Sequence, residues 1–391
     1  MSLSRRSFVG ALGLAGAGIV SAPLVAARGR EAFASLVGEL PSDLPELSAS
    51  PRLIRIGSNE NPRGPSDASL DALRGALGEA GRYQFNLPDD LRKELAASLG
   101  VGVDNLILGC GSTEVLHMAV HAFTSPTRAL VTASPTYEYP TNRCTQLGHE
   151  VRAVPVRTDD LRLDLATMAA RSRGAGLVFV NNPNNPTGTV HSAAVMKDFI
   201  KRVFAEQPDA TILIDEAYHE YVEDPAYASA APLALENPRV IVSRTFSKVY
   251  GLAGLRVGYG IMRPETREQL ARHQLNLSLN VLGSTAARAA LTDRALVGRE
   301  QRLNHEAREH TRRFFQSAGY RVSDSQTNFL MADIRRDTKE FQEACRKLDV
   351  LVGRPFPPLA TWARVSIGTL DEMQAATEVF KRVLAGGAAT N

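Results

Sequence analysis

Cysteine is scarce: three residues, Cys110, Cys144 and Cys345, in a chain of 391. Their odd number and wide separation exclude a disulfide framework and a CxxC metal site, so the fold must rest on its apolar core. Strong charge of either sign is missing too. The net charge is +3 and no Lys/Arg-rich run carries interleaved aromatics, which argues against a nucleic-acid partner. Internal repeats are absent. Long hydrophobic runs are lacking as well: the apolar stretch at residues 8–20 is too short and too rich in glycine to span a membrane.

That stretch follows Arg5-Arg6 directly, and small residues stand at 20–22 and 25–27. The pattern is that of a twin-arginine export signal, a route for folded proteins, and it implies a periplasmic destination with no stable membrane association after processing. Residues 1–30 are therefore set aside as the signal and residues 31–50 as a tether. The whole chain is 44% hydrophobic and 22% charged, an ordinary globular composition, and it is long enough for two domains.

From residue 105 to 261, short apolar runs alternate with helical stretches, which implies α/β architecture: a large domain with a mainly parallel sheet flanked by helices. Beyond residue 275 the pattern changes to that of a smaller α+β domain. In parallel sheets ligands collect beyond the carboxyl ends of the strands. Polar clusters stand at four such ends: Ser134 to Tyr137, Asn181 to Gly188, Asp215 to Tyr218, and Thr245 to Lys248. One cluster would mean little, but four in succession point to a shared pocket.

Lys248 sits in a hydroxyl-rich turn followed by glycines, a setting that suits a lysine held in a pocket. A lysine becomes a nucleophile only when its amine is uncharged, through desolvation or a nearby cation, and Arg256 is the candidate cation. Taken alone, a lysine in a loop is most often a surface residue. Upstream, Gly109-Cys110-Gly111-Ser112-Thr113 leads from an apolar run into a helix, so free N–H groups and hydroxyls together would form a phosphate cup. His117 and His121 lie four apart on that helix, but no third ligand is evident and no metal is expected.

Assembled, these words resemble those of the fold-type I pyridoxal-phosphate aminotransferases, most closely the histidinol-phosphate aminotransferase branch. The matching runs are S-N-E-N-P-R-G-P-S (58–66), G-C-G-S-T-E (109–114), S-P-T-Y-E-Y (134–139), N-N-P-N-N-P-T-G (181–188), D-E-A-Y-H-E-Y (215–221), T-F-S-K-V-Y-G-L-A-G-L-R-V-G-Y (245–259) and R-V-S-I-G-T (364–369), in the family's order. The resemblance implies that Lys248 holds pyridoxal phosphate covalently and shuttles protons, that Asp215 pairs with the pyridine nitrogen, and that Tyr218 and Asn185 hold the phenolic oxygen. It implies that Tyr137 stacks on the ring, and that Ser112, Thr113, Thr245, Ser247 and Arg256 hold the phosphate, with Gly111 giving backbone access. Tyr83 would reach the phosphate of a neighbouring subunit, which implies a homodimer with shared sites. Substrate contacts would come from Arg364, Arg354, Asn61 and Arg63. Residues 51–80 and 276–391 would form the small domain and residues 81–275 the large, cofactor-binding one.

The implied activity is ping-pong transamination between a 2-oxo acid and an amino acid or related amine bearing an anionic group. Arg63 stands where this branch often carries an aromatic, and export would separate the protein from a cytoplasmic pathway, so the donor is expected to differ. A lyase, cyclase or oxidase reaction on the same scaffold stays open, as does a non-catalytic amine-binding protein.

Overall fold

The computed structural model describes residues 53–386, so the expected export signal and tether lie outside the described residues. Twelve strands organise them. β1 (Ile54–Ile56) comes first. β2 (Leu106–Cys110), β3 (Ala129–Ser134), β4 (Val151–Pro155), β5 (Ala175–Asn181), β6 (Thr211–Asp215), β7 (Val240–Thr245) and β8 (Val257–Ile261) come next, then β9 (Arg321–Val322), β10 (Phe329–Asp333), β11 (Val350–Val352) and β12 (Trp362–Ser366).

β2 to β8 build one seven-stranded sheet in the order β2-β8-β7-β6-β5-β3-β4. It is parallel throughout except for β8, which runs antiparallel to β2 and β7. Every residue of β5, β6, β7 and β8 is buried. Such burial on both faces requires helices above and below, which is why these strands read as continuous apolar runs without a polar alternation. The register sets Asn181 beside Asp215 and Asp215 beside Ser243. Lateral neighbours in a parallel sheet project to the same face, so these three side chains form one row at the strand ends.

The helices obey ordinary end rules. Leu87–Leu99 has Pro88, Asp89 and Asp90 in its first turn and stops at Gly100, whose φ of 67° closes the helix in the left-handed region. Two helices, Val281–Thr292 and Leu296–Ser317, are parted at Asp293, whose carboxylate accepts from the Ala295 N–H.

A second core lies around the three-stranded sheet β12-β10-β9 and the β1-β11 pair. There Phe380 from the last helix stacks on Phe315 at 5.7 Å and meets Phe341 at 5.5 Å. Val281–Thr292, grouped with the small domain in the expected division, sends Ala286, Ala287 and Ala290 into the core of the large sheet. Ser69, on the helix Asp67–Ala76, donates to the Ala286 carbonyl at 3.1 Å. The two cores thus interleave along the sequence.

Gly258 on β8 is where the sheet meets the start of the helix Ser112–Phe123: a methyl group there would overlap the Ser112 nitrogen and the Gly111 carbonyl carbon. Because backbone cannot yield as a flexible side chain does, Gly258→Ala is expected to cost about 2 kcal/mol or more. The check is a urea titration, where the midpoint should fall at constant slope; an unchanged midpoint would mean that this contact relaxes freely.

Candidate active site

The ends of β3, β5, β6 and β7 open on one cavity of about 520 Å³, a size typical of small-molecule sites. Its floor is the row of strand ends, and its opposite wall comes from the loop Ser58–Glu60, from Arg354 and Phe356 after β11, and from Arg364 on β12.

Lys248 follows β7 and projects into this cavity, where its Nζ donates to the Asn59 carbonyl at 3.0 Å and lies 5.4 Å from the centre of the Tyr218 ring. Its pKa is pushed down to about 8, chiefly by burial and next by the Arg364 guanidinium. Arg256, the cation expected from the sequence, acts in the same direction but more weakly. The amine therefore gives up its proton far more readily than an exposed lysine does, as a nucleophile or base requires.

Asp215 closes β6, and the strand register gives it its donors. Ser243 Oγ donates to Oδ1 at 2.7 Å, and Asn181 Nδ2 donates to Oδ2 at 3.2 Å. Burial nevertheless pushes its carboxyl up to about 7, with Glu216 adding to the rise. A carboxylate in such surroundings is stabilised by any cationic N–H presented to it.

Arg256 adopts φ 56° and aims its guanidinium at the start of the helix Ser112–Phe123. A side chain at Gly111, with φ 71°, would strike Arg256 Nη2. Absence of a Cβ there keeps the cup open, and only glycine takes that backbone without strain. Ser112, Thr113, Thr245 and Ser247 line the same end of the cavity, and Arg256 Nη1 donates to Ser247 Oγ at 3.4 Å. Hydroxyls, a helix N-terminus and a guanidinium make a donor set for a phosphate dianion. Tyr137 lies beside it, 3.4 Å from Thr113 through their hydroxyls.

On the far wall, Arg364 donates to Asn185 Oδ1 and to the Gly57 carbonyl, each at 2.7 Å. Its Nε is buried without a partner, and burial pushes its pKa down to about 10. This buried fork suits a carboxylate or phosphate on a ligand. Tyr218 Oη accepts from Asn59 Nδ2 at 3.1 Å. A lysine of lowered pKa, a buried carboxyl, a phosphate cup and an amide–phenol pair fit pyridoxal phosphate as a set.

Two expected substrate residues lie elsewhere. Asn61 is buried and donates to the Val249 carbonyl at 3.0 Å and to Glu300 at 2.9 Å, and Arg63 pairs with the same Glu300 carboxylate at 2.7 Å. Neither lines the cavity. The cause is Glu300 itself, a buried carboxylate that needs hydrogen-bonded partners, together with the Asn61 to Gly64 turn, which swings Arg63 towards it. Tyr83 is 77% exposed and lies outside the cavity of its own chain. His117 bonds the Tyr139 hydroxyl at 2.8 Å, and His121 accepts from Arg143 at 2.9 Å.

Sequence reasoning missed Asn59, which touches Lys248, Tyr218 and Ser366. Its φ of 55° is its signature, since asparagine is among the few residues that enter the left-handed region readily. Glu60, Glu138 and Phe356 were missed as cavity residues too.

Residues 51–380 match the family model described as aminotransferase class I and II. The histidinol-phosphate aminotransferase of Moorella thermoacetica is 38% identical over 343 residues, covering 85% of this chain and 86% of that protein. Histidinol-phosphate aminotransferase 1 of Cupriavidus pinatubonensis is 35% identical, covering 85% and 88%. Among solved structures, the histidinol-phosphate aminotransferase of Sinorhizobium meliloti in complex with pyridoxal-5'-phosphate has a TM-score of 0.79 at 27% identity, covering 95% of this chain and 99% of that one. The aspartate aminotransferase of Thermotoga maritima, 17% identical with a TM-score of 0.76 and covering 98% and 100%, shares the fold.

Because only the neutral amine attacks a carbonyl, capture of pyridoxal phosphate by the apoprotein should quicken as pH rises, with an inflection at about 8 set by Lys248. Stopped-flow absorbance at a series of pH values reads this directly. An inflection above about pH 10, where an exposed lysine titrates, would contradict the assigned environment.

Proposed function

The chain belongs to the class I and II aminotransferase family, and on that premise we propose that it moves the amino group of an amino acid, or of a related amine carrying an anionic group, to a 2-oxo acid. It is a pyridoxal-phosphate-dependent transferase. The observation that carries the donor class is Arg364, a buried guanidinium with one nitrogen unpartnered, facing the same cavity as Lys248. The relatives' names make histidinol phosphate a donor to test; withdrawal of Arg63 to Glu300 supports a different preference.

Pyridoxal phosphate supplies an aldehyde carbon that carries the amino group and a ring that takes up electron density from the donor's Cα. The protein does the rest. Arg364 binds the donor anion and so orients Cα towards Lys248. Lys248 Nζ, whose pKa burial lowers, would take the Cα proton and deliver it to the cofactor carbon that carries the amino group. Asp215 keeps its partner nitrogen protonated, and Ser243 and Asn181 keep Asp215 aimed. Tyr218, itself positioned by Asn59, and Asn185 hold the phenolic oxygen. Water would supply the oxygen of the oxo-acid product as it leaves, and a second oxo acid would take its place on Arg364 for the reverse sequence, which returns that water, so each turnover exchanges one amino group for one oxygen.

A homodimer is part of the same proposal. Tyr83, Phe85, Leu275 and Leu277, exposed by 77%, 69%, 59% and 51%, line one hollow beside the cup-bearing segment, an apolar face that a second copy would cover. Tyr83 would then reach the neighbour's phosphate cup. Export to the periplasm rests on Arg5-Arg6 and the apolar stretch behind it.

Incubating holoenzyme with a panel of amino donors should convert the absorption of lysine-bound cofactor to that of its amino form, and a 2-oxo acid should reverse the change. Release of ammonia or peroxide without an acceptor would instead favour a lyase or oxidase. Asp215→Asn should lower kcat on the order of 10²-fold or more while the protein still folds, the scale seen when one preorganised charge-stabilising group is lost; full activity would remove Asp215 from the chemistry. Sedimentation should find a dimer, and a folded reporter fused to residues 1–40 should leave the cytoplasm only while Arg5 and Arg6 are intact. A monomer, or a reporter indifferent to Arg5/Arg6→Lys, would overturn those two claims respectively.

A further inference from the structure

Beyond the groups assigned to the cofactor, the cavity wall carries Arg354 and Arg364 against Glu60 and Glu138. That wall is balanced, with two charges of each sign. Glu138 comes from the large sheet's side, just before the helix Tyr139–Gln146, yet its side chain does not cap that helix. It reaches across the mouth instead and pairs with Arg354 Nη2 at 2.5 Å. The Arg354 guanidinium is held in place from below, 4.3 Å from the centre of the Phe356 ring.

The side chains of this pair are 50% and 48% exposed, so it adds little to stability. Its consequence falls on the ligand. Glu60, on the same wall, has its partner Arg55 at a looser 3.5 Å. Arg63, the other cation expected here, is spent on Glu300. A donor with one negative charge is met by Arg364 without disturbing anything. A donor with two must draw Arg354 away from Glu138, and then leaves that carboxylate facing its own charge, an arrangement that disfavours the wrong ligand strongly.

We infer that Glu138 is a specificity-determining residue: held on Arg354, it biases the site towards donors presenting a single negative charge and against dicarboxylate or phosphomonoester donors. The inference rests on the transaminase reading for its kinetic arm, but binding of unreactive anions tests it separately.

Holoenzymes of the wild type, Glu138→Gln and Glu138→Asp are titrated calorimetrically with succinate and with 3-phenylpropionate. Glu138→Gln should tighten succinate about tenfold and leave 3-phenylpropionate within about twofold, because one like charge is removed from the second anion's path. Glu138→Asp, which keeps the charge, should retain the wild-type ratio and guards against a general folding effect. In turnover, kcat/KM for aspartate and for histidinol phosphate should rise relative to phenylalanine through KM, with kcat little changed. Unchanged succinate affinity in Glu138→Gln, or equal tightening of both anions, would overturn the inference. Failure of the wild type to transaminate any donor would sink the proposed function, while the titrations would still decide the role of Glu138.

Discussion

An amine and a carboxyl are held out of water at the ends of neighbouring strands, and that shared burial drives each towards its uncharged form: Lys248 down to about 8, Asp215 up to about 7. The rest of the site depends on this. Desolvation makes the lysine useful, but an unsupported buried carboxyl would be costly. The row Asn181, Asp215 and Ser243 across β5, β6 and β7 supplies the support, and it exists because parallel register aligns those three residues.

The second core matters because it closes this arrangement from above. Asn59 is the stitch: its N–H donates to Ser366 Oγ at 2.9 Å on β12, its amide to Tyr218 after β6, and its carbonyl accepts from Lys248 and from Asn328 Nδ2. One residue in the left-handed region thus joins both cores at the reacting amine. Arg364, also on β12, binds Asn185 of the large sheet's edge. Any shift between the cores would therefore move the anion-binding fork relative to Lys248, so substrate binding and core packing are coupled through a few polar contacts.

Much of this was legible in the sequence. The apolar runs ending in polar clusters identified the strands and the α/β class, because strands buried on both faces leave few other patterns. Lys248, Asp215, Asn185 and Arg256 could be named because the runs that carry them resemble those of the aminotransferases in the family's order, and the polar clusters closing successive apolar runs already pointed to one pocket. Arg63 and Asn61 could not be placed correctly. Their direction is decided by Glu300, more than two hundred residues away in sequence, and no local pattern announces a buried carboxylate near the start of a helix. Glu138 was passed over for the same reason, since its partner Arg354 belongs to the other core. Arg364 rather than Arg256 proved the stronger cation acting on Lys248, again a long-range contact.

Reduction of the holoenzyme with borohydride, followed by peptide mapping, tests the central claim most directly. A pyridoxyl group confined to Lys248, and lost from every peptide in Lys248→Ala, is the predicted result. A label on another lysine, or cofactor washed away unreduced, would contradict the assignment of this buried amine as the group around which the site is built.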